Sequence, residues 1–111
     1  MSDSTAKARI VLTTAANPEE ARHLGRTFVE EHLAACATLI PSVESIYPWE
    51  GKIESAAETI LVLKTDSSQI QSLEARLHSL HSYKTPEFLV LPVESGSEGY
   101  LDWMRAHLHR P

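Results

Sequence analysis

Two long runs of apolar and β-branched residues, 34–49 and 52–65, are separated along the chain only by Glu50-Gly51. Such runs are typical of β-strands. Glycine adopts the positive φ that a tight hairpin requires without steric cost, so Gly51 favours a two-residue turn at this point. The pattern therefore predicts one long β-hairpin with its tip at Glu50-Gly51.

A two-residue turn fixes which residues of the two strands face each other. Trp49 then faces Lys52, as in a cation–π pair, and at the far end Cys36 faces Thr65. Pro41 has no N–H to donate to the ladder, so we expect a bulge or an edge position that shifts this register locally.

The predicted hairpin is long for a single small domain. Each strand of the hairpin, with roughly 14 residues at ~3.3 Å per residue, is roughly 45 Å long. A folded chain of this size has a radius of gyration of only about 13 Å. Its tip would leave apolar side chains in water and backbone edges unpaired, which favours pairing with another chain. We therefore predict an oligomerisation arm with interface residues Ile46, Tyr47, Trp49 and Ile53. The alternative is a hairpin that Pro41 breaks into two shorter strands within one body.

The flanking sequence predicts two more strands and a first helix. Residues 9–14 and 87–91 are short, nearly continuous apolar runs, which are typical of buried strands. Asn17 followed by Pro18 is typical of an N-cap and the first position of a helix, which we expect to end near His32.

Two further helices complete the pattern. The second opens at Asp66 and carries an apolar stripe at Ile70, Leu73, Leu77 and Leu80. The third is short and carries Tyr100, Trp103, Met104 and Leu108 on one face.

The order β-α-β-β-α-β plus a C-terminal helix predicts an α+β fold, a ferredoxin-like sandwich with both long helices on one face of an antiparallel sheet. No predicted element remains to cover the other face. A second copy of the chain is the natural cover, which is an independent reason to expect an oligomer.

Composition and charge limit the class of protein. We expect residues 1–8 to be a disordered tail and residues 9–111 to form a single domain, since 111 residues that are 42% hydrophobic suffice for one modest core. A net charge of −5 argues against a nucleic-acid partner or an anionic-membrane surface. No apolar run approaches a membrane span, and a single cysteine allows no internal disulfide, so we expect a cytoplasmic protein.

Six histidines raise the question of a metal site. Glu74, His78 and His81 have i, i+4, i+7 spacing on the second predicted helix and would offer one carboxylate and two imidazoles to Cu²⁺ or Zn²⁺. The alternative is a solvated helix flank on which His81 caps the C-terminal end. His107 and His109 are interpreted as adventitious metal binders.

Lys64 and Glu87 each lie at the end of an apolar strand. Aromatic residues that could surround them are Tyr47, Trp49, Tyr100 and Trp103. Such a charged pair would bind a small ligand in an aromatic pocket, or would be a structural ion pair that locks subunits together. The sequence leaves both interpretations open.

Cys36 is flanked by alanines and is interpreted as a buried packing residue. His32 and Glu31 lie close to it in sequence, but no nucleophile elbow or oxyanion turn accompanies them, so acyl-transfer chemistry is not supported.

Several segments together resemble the CutA divalent-ion tolerance family, in order and spacing, from about Arg9 to His107. They are Ala35–Pro41, Ser45–Glu54, Leu63–Thr65, His81–Glu87 and Tyr100–Trp103.

The resemblance implies a ferredoxin-like subunit in a stable homotrimer, with long hairpins wrapping between neighbours as in the similar PII signalling proteins. It also implies tolerance of copper and other divalent cations, Cu²⁺ binding in some members, no required cofactor and no established enzymatic activity.

The family's intersubunit-cleft positions fall on Trp49, Lys64, Glu87, Tyr100 and Trp103. In some bacterial members a cysteine and a pair of histidines are taken as copper ligands. The corresponding residues here are Val11 and Leu80-His81, so His81 is the one position that still holds a metal-binding side chain. The expectation is a non-enzymatic trimer that responds to divalent metal and binds it weakly through His81. The alternative is a PII-like sensor that binds a small anionic metabolite in the clefts.

Overall fold

The computed structural model describes residues 6–108. Its four strands form one antiparallel sheet in the order β2-β3-β1-β4, which confirms the predicted ferredoxin-like α+β fold. The elements are β1 (Ala8–Ala15), α1 (Pro18–Glu30), β2 (Cys36–Trp49), β3 (Lys52–Asp66), α2 (Ile70–Leu80), β4 (Leu89–Pro92) and α3 (Glu98–Leu108).

The first helix begins as its cap predicts. Asn17 Oδ1 accepts a hydrogen bond from Glu20 N at 2.8 Å, and Pro18 occupies the first turn. The helix ends at Glu30, two residues before the expected end, because His32 adopts a left-handed φ of 60° that an α-helix does not continue through.

The second helix begins later than predicted. Asp66 is the last residue of β3, and its Oδ1 accepts from Ser68 N at 2.9 Å and from Ser68 Oγ at 2.6 Å. This carboxylate therefore closes a local turn, and α2 starts only at Ile70.

The long hairpin is present. Glu50 and Gly51 have φ of 50° and 79°, the signature of a two-residue turn with both central residues at positive φ, and Trp49 pairs with Lys52 as predicted. Below the tip the register shifts between Ile40 and Val43.

This shift corrects one predicted pair. Cys36 faces Lys64 instead of Thr65, because the bulge adds one residue to β2 at Pro41-Ser42, where Ser42 has a φ of 62°. Pro41 thus perturbs the strand without breaking it, and the molecule reaches 48 Å along its longest axis.

The core lies between one face of the sheet and helices α1 and α2. It consists of Val11, Ala15, Leu61 and Leu63 from the sheet and Ala21, Leu24, Phe28, Leu73 and Leu77 from the helices, all fully buried. Gly25 allows α1 to approach the sheet closely, since a Cβ on this residue would lie 3.0 Å from Ala37 Cβ.

The opposite face of the sheet is only partly covered. Strand alternation directs Ile10, Leu12, Ile40, Ile60, Val62, Leu89 and Leu91 to this side, which we call the open face. Helix α3 covers one end of the molecule, where Met104 and Leu108 pack with Ala35 in a small separate cluster. No helix within residues 6–108 is both long and apolar enough to cross a membrane.

Part of the expected N-terminal tail is held in place. Ala6 is buried, Lys7 N donates to Ser67 Oγ at 2.9 Å, and Lys7 O accepts from Ser67 N at 2.7 Å. Ala8 already belongs to β1, whereas positions 1–5 lie outside the described residues.

Candidate functional site

His81, the residue expected to bind metal, is a structural histidine in this chain. Its side chain is 0% exposed. Its Nε2 lies 2.7 Å from Thr14 O, and its Nδ1 lies 3.0 Å from Tyr83 N. A carbonyl only accepts and a backbone N–H only donates, so Nε2 carries the proton, Nδ1 accepts, and the neutral ring has both nitrogens in use.

Glu20 reinforces this arrangement. Its carboxylate accepts from Ser82 N at 2.8 Å, Ser82 Oγ at 3.0 Å and Ala16 N at 3.2 Å, and one oxygen lies 3.8 Å from His81 Nδ1. Burial alone would raise the pKa of Glu20, but the hydrogen bonds from Ser82 and Ala16 lower it. The segment after α2 is thereby fixed to the start of α1.

The predicted metal triad Glu74, His78 and His81 does not form. Helix α2 ends at Leu80, and His81 is its extended C-cap with φ −72° and ψ 142°, so His81 leaves the helical face that the spacing assumes. Glu74 and His78 remain exposed while His81 turns inward. Residues 6–108 contain no group of three or more His, Cys, Asp or Glu side chains arranged to hold a metal ion. The residues present therefore do not fit the copper site that the resemblance implies.

Glu58 is a functional candidate that the sequence did not single out. It is 9% exposed, and Tyr83 Oη donates to its Oε2 at 2.7 Å. Burial raises the pKa of Tyr83 well above its ordinary value, and the hydrogen bond to Glu58 raises it further. The signal in the sequence was an acidic residue directly before the apolar run of β3, at the position where the bulge begins.

Glu87 is another carboxylate, and its pKa is raised. Partial burial raises the pKa of its carboxyl, and the negative charge of Glu58 raises it further. The charge of Glu58, whose carboxylate accepts from Tyr83, is therefore felt at Glu87.

Lys64 lies on the open face and does not pair with Glu87 in this chain. Its Nζ donates to Thr38 Oγ1 and lies 3.7 Å from Cys36 Sγ. The described ion pairs do not include Lys64–Glu87, and the electrostatic partner that perturbs Glu87 is Glu58. The predicted charged pair is thus not formed within one subunit, since Lys64 faces Ile10 on β1 whereas Glu87 precedes the start of β4.

The five expected cleft residues, Trp49, Lys64, Glu87, Tyr100 and Trp103, do not form a single group within one chain. Trp49 is at the hairpin tip, whereas Tyr100 and Trp103 lie on α3 with ring centroids 5.6 Å apart. Burial raises the pKa of Tyr100, and Cys36 raises it further. Cys36 is half-buried and not the buried packing residue that was expected, because it lies beside Lys64, with Lys64 Nζ 3.7 Å from its Sγ, on the partly exposed open face. One chain therefore does not assemble the aromatic pocket.

The family described as "CutA1 divalent ion tolerance protein" matches residues 9–107 of this chain. The chain is 47% identical over 105 residues to the divalent-cation tolerance protein CutA of Citrobacter koseri, which covers 95% of this chain and 91% of that protein. It is 38% identical over 104 residues to the chloroplastic protein CutA of Arabidopsis thaliana, which covers 94% of this chain. The match spans 57% of the length of that plant protein.

A comparison with solved structures also finds CutA1 proteins. The crystal structure of CutA1 from Oryza sativa is similar to this chain with a TM-score of 0.93 and 33% identity, covering 98% of this chain and 100% of that one.

Proposed function

The chain belongs to the CutA1 divalent ion tolerance family, and from this premise we propose that it acts in divalent-cation tolerance as a non-enzymatic homotrimer. The proposed compartment is the cytoplasm, and no cofactor is required. The observation that carries the proposal is the large apolar surface that a single subunit leaves uncovered.

The hairpin supplies one part of this surface. Ile53 is 74% exposed, Ile46 69% and Trp49 61%, although all three are large apolar side chains near the tip of the hairpin. Isolated monomers rarely expose contiguous apolar patches of this kind, and unpaired strand edges invite association. Burial against a neighbouring subunit stabilises such an arm, which supports the interface role of Ile46, Tyr47, Trp49 and Ile53.

The open face of the sheet supplies the other part. Leu89 and Leu91 are 55% and 43% exposed on the edge strand β4, and Ile40 is 44% exposed on β2. A second copy on this face would remove those side chains from water. It would also bring the Tyr100–Trp103 pair of one subunit close to residues of another, with Trp49, Lys64 and Glu87 as the expected cleft positions.

Metal binding through His81 is proposed to be weak. A metal ion at either ring nitrogen would have to displace the hydrogen bond from Tyr83 N or the one to Thr14 O. The free energy of the displaced bond is subtracted from the free energy of metal binding.

Native mass spectrometry of the metal-free protein tests the assembly. We expect a trimer for the natural chain and monomers with a lower melting temperature for a variant with a shortened hairpin around Glu50-Gly51. Ile46→Ser with Ile53→Ser should have the same effect, whereas Val29→Ser, an exposed apolar residue on α1, should not. A shortened variant that stays trimeric with unchanged melting contradicts the proposal.

Copper titration and growth test the metal role. Cells that lack the gene should regain tolerance to added Cu²⁺ with the natural chain. Copper binding that is unchanged in His81→Ala shows that His81 is not a ligand. If the natural chain forms trimers but restores tolerance to no divalent cation, the proposed function is contradicted and the proposed assembly is not.

A second candidate function is a PII-like sensor for a small anionic metabolite. Lys64 favours it, because its ammonium group has no carboxylate partner within residues 6–108 and lies on an otherwise apolar face. Lys64→Met should abolish metabolite binding and keep the trimer. Loss of the trimer instead would identify Lys64 as a structural residue.

A further inference from the structure

The sheet narrows from four strands to two at one level of β3. Strand β1 ends where Ala15 pairs with Thr59, and β4 does not reach that level. Beyond Thr59, β3 pairs with β2 alone as far as the turn at Glu50-Gly51. We call residues 43–58 the outer hairpin and the rest of the subunit the body. A two-stranded ribbon has no third strand to hold its direction, and its own stability is marginal.

The β-bulge lies at this same level. The register shifts so that Pro41 and Ser42 both lie opposite Thr59. Pro41 has no N–H for the ladder, and Ser42 has a φ of 62°. The hydroxyl of Thr59 is buried without a hydrogen-bond partner within residues 6–108, so it does not tie the bulge to a neighbouring element. A bulge bends its strand and interrupts the ladder, and this one does so where the support of β1 ends.

Outside the backbone ladder, one side-chain bond connects the outer hairpin to the body. Of the outer hairpin's residues only Glu58 is buried, whereas the large apolar side chains near the tip are exposed. Tyr83 Oη donates to Glu58 Oε2 at 2.7 Å. Within residues 6–108 this is the only side-chain hydrogen bond or ion pair between the outer hairpin and the body.

Tyr83 is itself fixed to the body. Its backbone N–H donates to His81 Nδ1 at 3.0 Å, and His81 Nε2 donates to Thr14 O at 2.7 Å. Thr14 precedes Ala15, the last residue of β1. Three hydrogen bonds in series therefore run from the end of β1 to Glu58, on the far side of the bulge.

We propose that the bulge at Pro41-Ser42 is a hinge between the body and the outer hairpin, and that the bond from Tyr83 to Glu58 is the latch that holds this hinge at one angle. Tyr83 is thus a positioning residue for the hairpin tip. About seven residues at ~3.3 Å per residue place the tip roughly 23 Å from the bulge, so a turn of roughly 10° displaces the tip by roughly 4 Å.

The hinge and the latch are properties of one subunit. Their consequence for assembly is the direction in which Ile46, Trp49 and Ile53 are presented to a neighbour, and this consequence rests on the proposed trimer.

Spin labels on the body and at the tip measure the angle of the outer hairpin. Arg22 on α1 and Lys52 beside the turn are exposed, so Arg22→Cys and Lys52→Cys carry the labels, and Cys36→Ala removes the natural thiol. Labelled chains are refolded with an excess of unlabelled Cys36→Ala chains. Double electron–electron resonance then reports the distance within one subunit. The same labels are measured in a chain with Ile46→Ser and Ile53→Ser, whose tip lacks the apolar contact with a neighbour.

Matched variants separate the latch from the hinge. Tyr83→Phe keeps the ring but removes the donor to Glu58, and we expect the distance distribution to broaden by roughly 4 Å. Tyr100→Phe should leave the distribution unchanged, since the hydroxyl of Tyr100 makes no described hydrogen bond. Deleting Ser42 removes the extra residue of the bulge, so Tyr83→Phe should cause no broadening in that background. Far-UV circular dichroism verifies folding. If the deletion variant does not fold, Ser42→Gly, which adopts positive φ freely, should instead increase the broadening.

The outcomes distinguish the hinge from the trimer. A distribution as narrow in Tyr83→Phe as in the natural sequence, both with and without Ile46→Ser and Ile53→Ser, overturns the proposal. Broadening only with those two serines supports the hinge and shows that a neighbour also holds the outer hairpin. Equal broadening by Tyr100→Phe, or broadening that persists without Ser42, overturns the proposal, because the subunit would then loosen as a whole. Native mass spectrometry of the same samples reports the assembly, so monomers would contradict the trimer and not the hinge.

Discussion

Tyr83 donates its phenolic hydrogen to the buried carboxylate of Glu58 across 2.7 Å. This bond joins the segment after α2 to β3 next to the bulge, a connection between residues 25 positions apart that no local pattern indicates.

Tyr83→Phe should destabilise the protein by about 1–3 kcal/mol, because Glu58 would lose its donor while staying buried. Urea unfolding at neutral pH measures the change. Tyr100→Phe is the matched control, since the hydroxyl of Tyr100 makes no described hydrogen bond and should be nearly neutral. Equal effects of the two substitutions would mean that the bond to Glu58 contributes nothing.

Tyr83 should also ionise later than the other tyrosines. Burial, followed by the bond to Glu58, raises its pKa, so the folded state holds this proton above the ordinary tyrosine pKa of about 10. Stability from this group is complete below the unfolded pKa and is lost as pH rises through the folded one. Absorbance at alkaline pH should show one of the three tyrosines still protonated in the folded protein. Glu58→Gln should shift this late step to lower pH.

Glu87→Gln should raise the melting temperature at pH 7. Burial and then Glu58 raise the pKa of Glu87 above 4.5, so the folded state binds its proton more tightly than the unfolded state does. Its contribution to stability is therefore complete below that value and falls as pH rises through the folded pKa. Scanning calorimetry should show a higher melting temperature for Glu87→Gln than for the natural chain at pH 7. It should show no such difference at a pH below the ordinary pKa of a glutamate.

Glu20→Gln should behave in the opposite way, because the folded pKa of Glu20 is lowered. Stability from Glu20 is present at neutral pH and is lost as pH falls through its folded pKa. A neutral-pH gain from both substitutions would contradict the assignment of opposite shifts.

Gly25→Ala should destabilise the protein, although alanine normally favours a helix by about 1 kcal/mol over glycine. The new methyl group would lie 3.0 Å from Ala37 Cβ, and Ala37 is held in β2 by the sheet. Gly99→Ala on α3 is the control, since nothing lies within 4 Å of that position, and it should be neutral or stabilising by up to about 1 kcal/mol. If Gly25→Ala stabilised the protein as much as Gly99→Ala, then α1 would be able to move away from the sheet.

The strands and helices were predictable because each carries a strong local signal. Asn17 and Pro18 mark the start of α1, and Glu50-Gly51 marks the hairpin tip. The register of Cys36 was not predictable, because Pro41 indicates that a bulge exists without fixing how many residues it adds.

The candidate sites were harder to predict, since they depend on contacts between distant segments. His81 fits a helical metal pattern only while α2 continues, and its partner Thr14 lies on another element. Lys64 and Glu87 are both at strand ends, but the order of the strands separates them.

The last strand of the sheet pairs with the first, as Leu89 with Leu12 and Pro92 with Arg9. During synthesis, therefore, β1 leaves the ribosome with one edge that finds no partner until nearly the whole chain has emerged. The β2–β3 hairpin, whose contacts are local, can form much earlier. The nascent chain thus carries its exposed apolar hairpin before its sheet is complete.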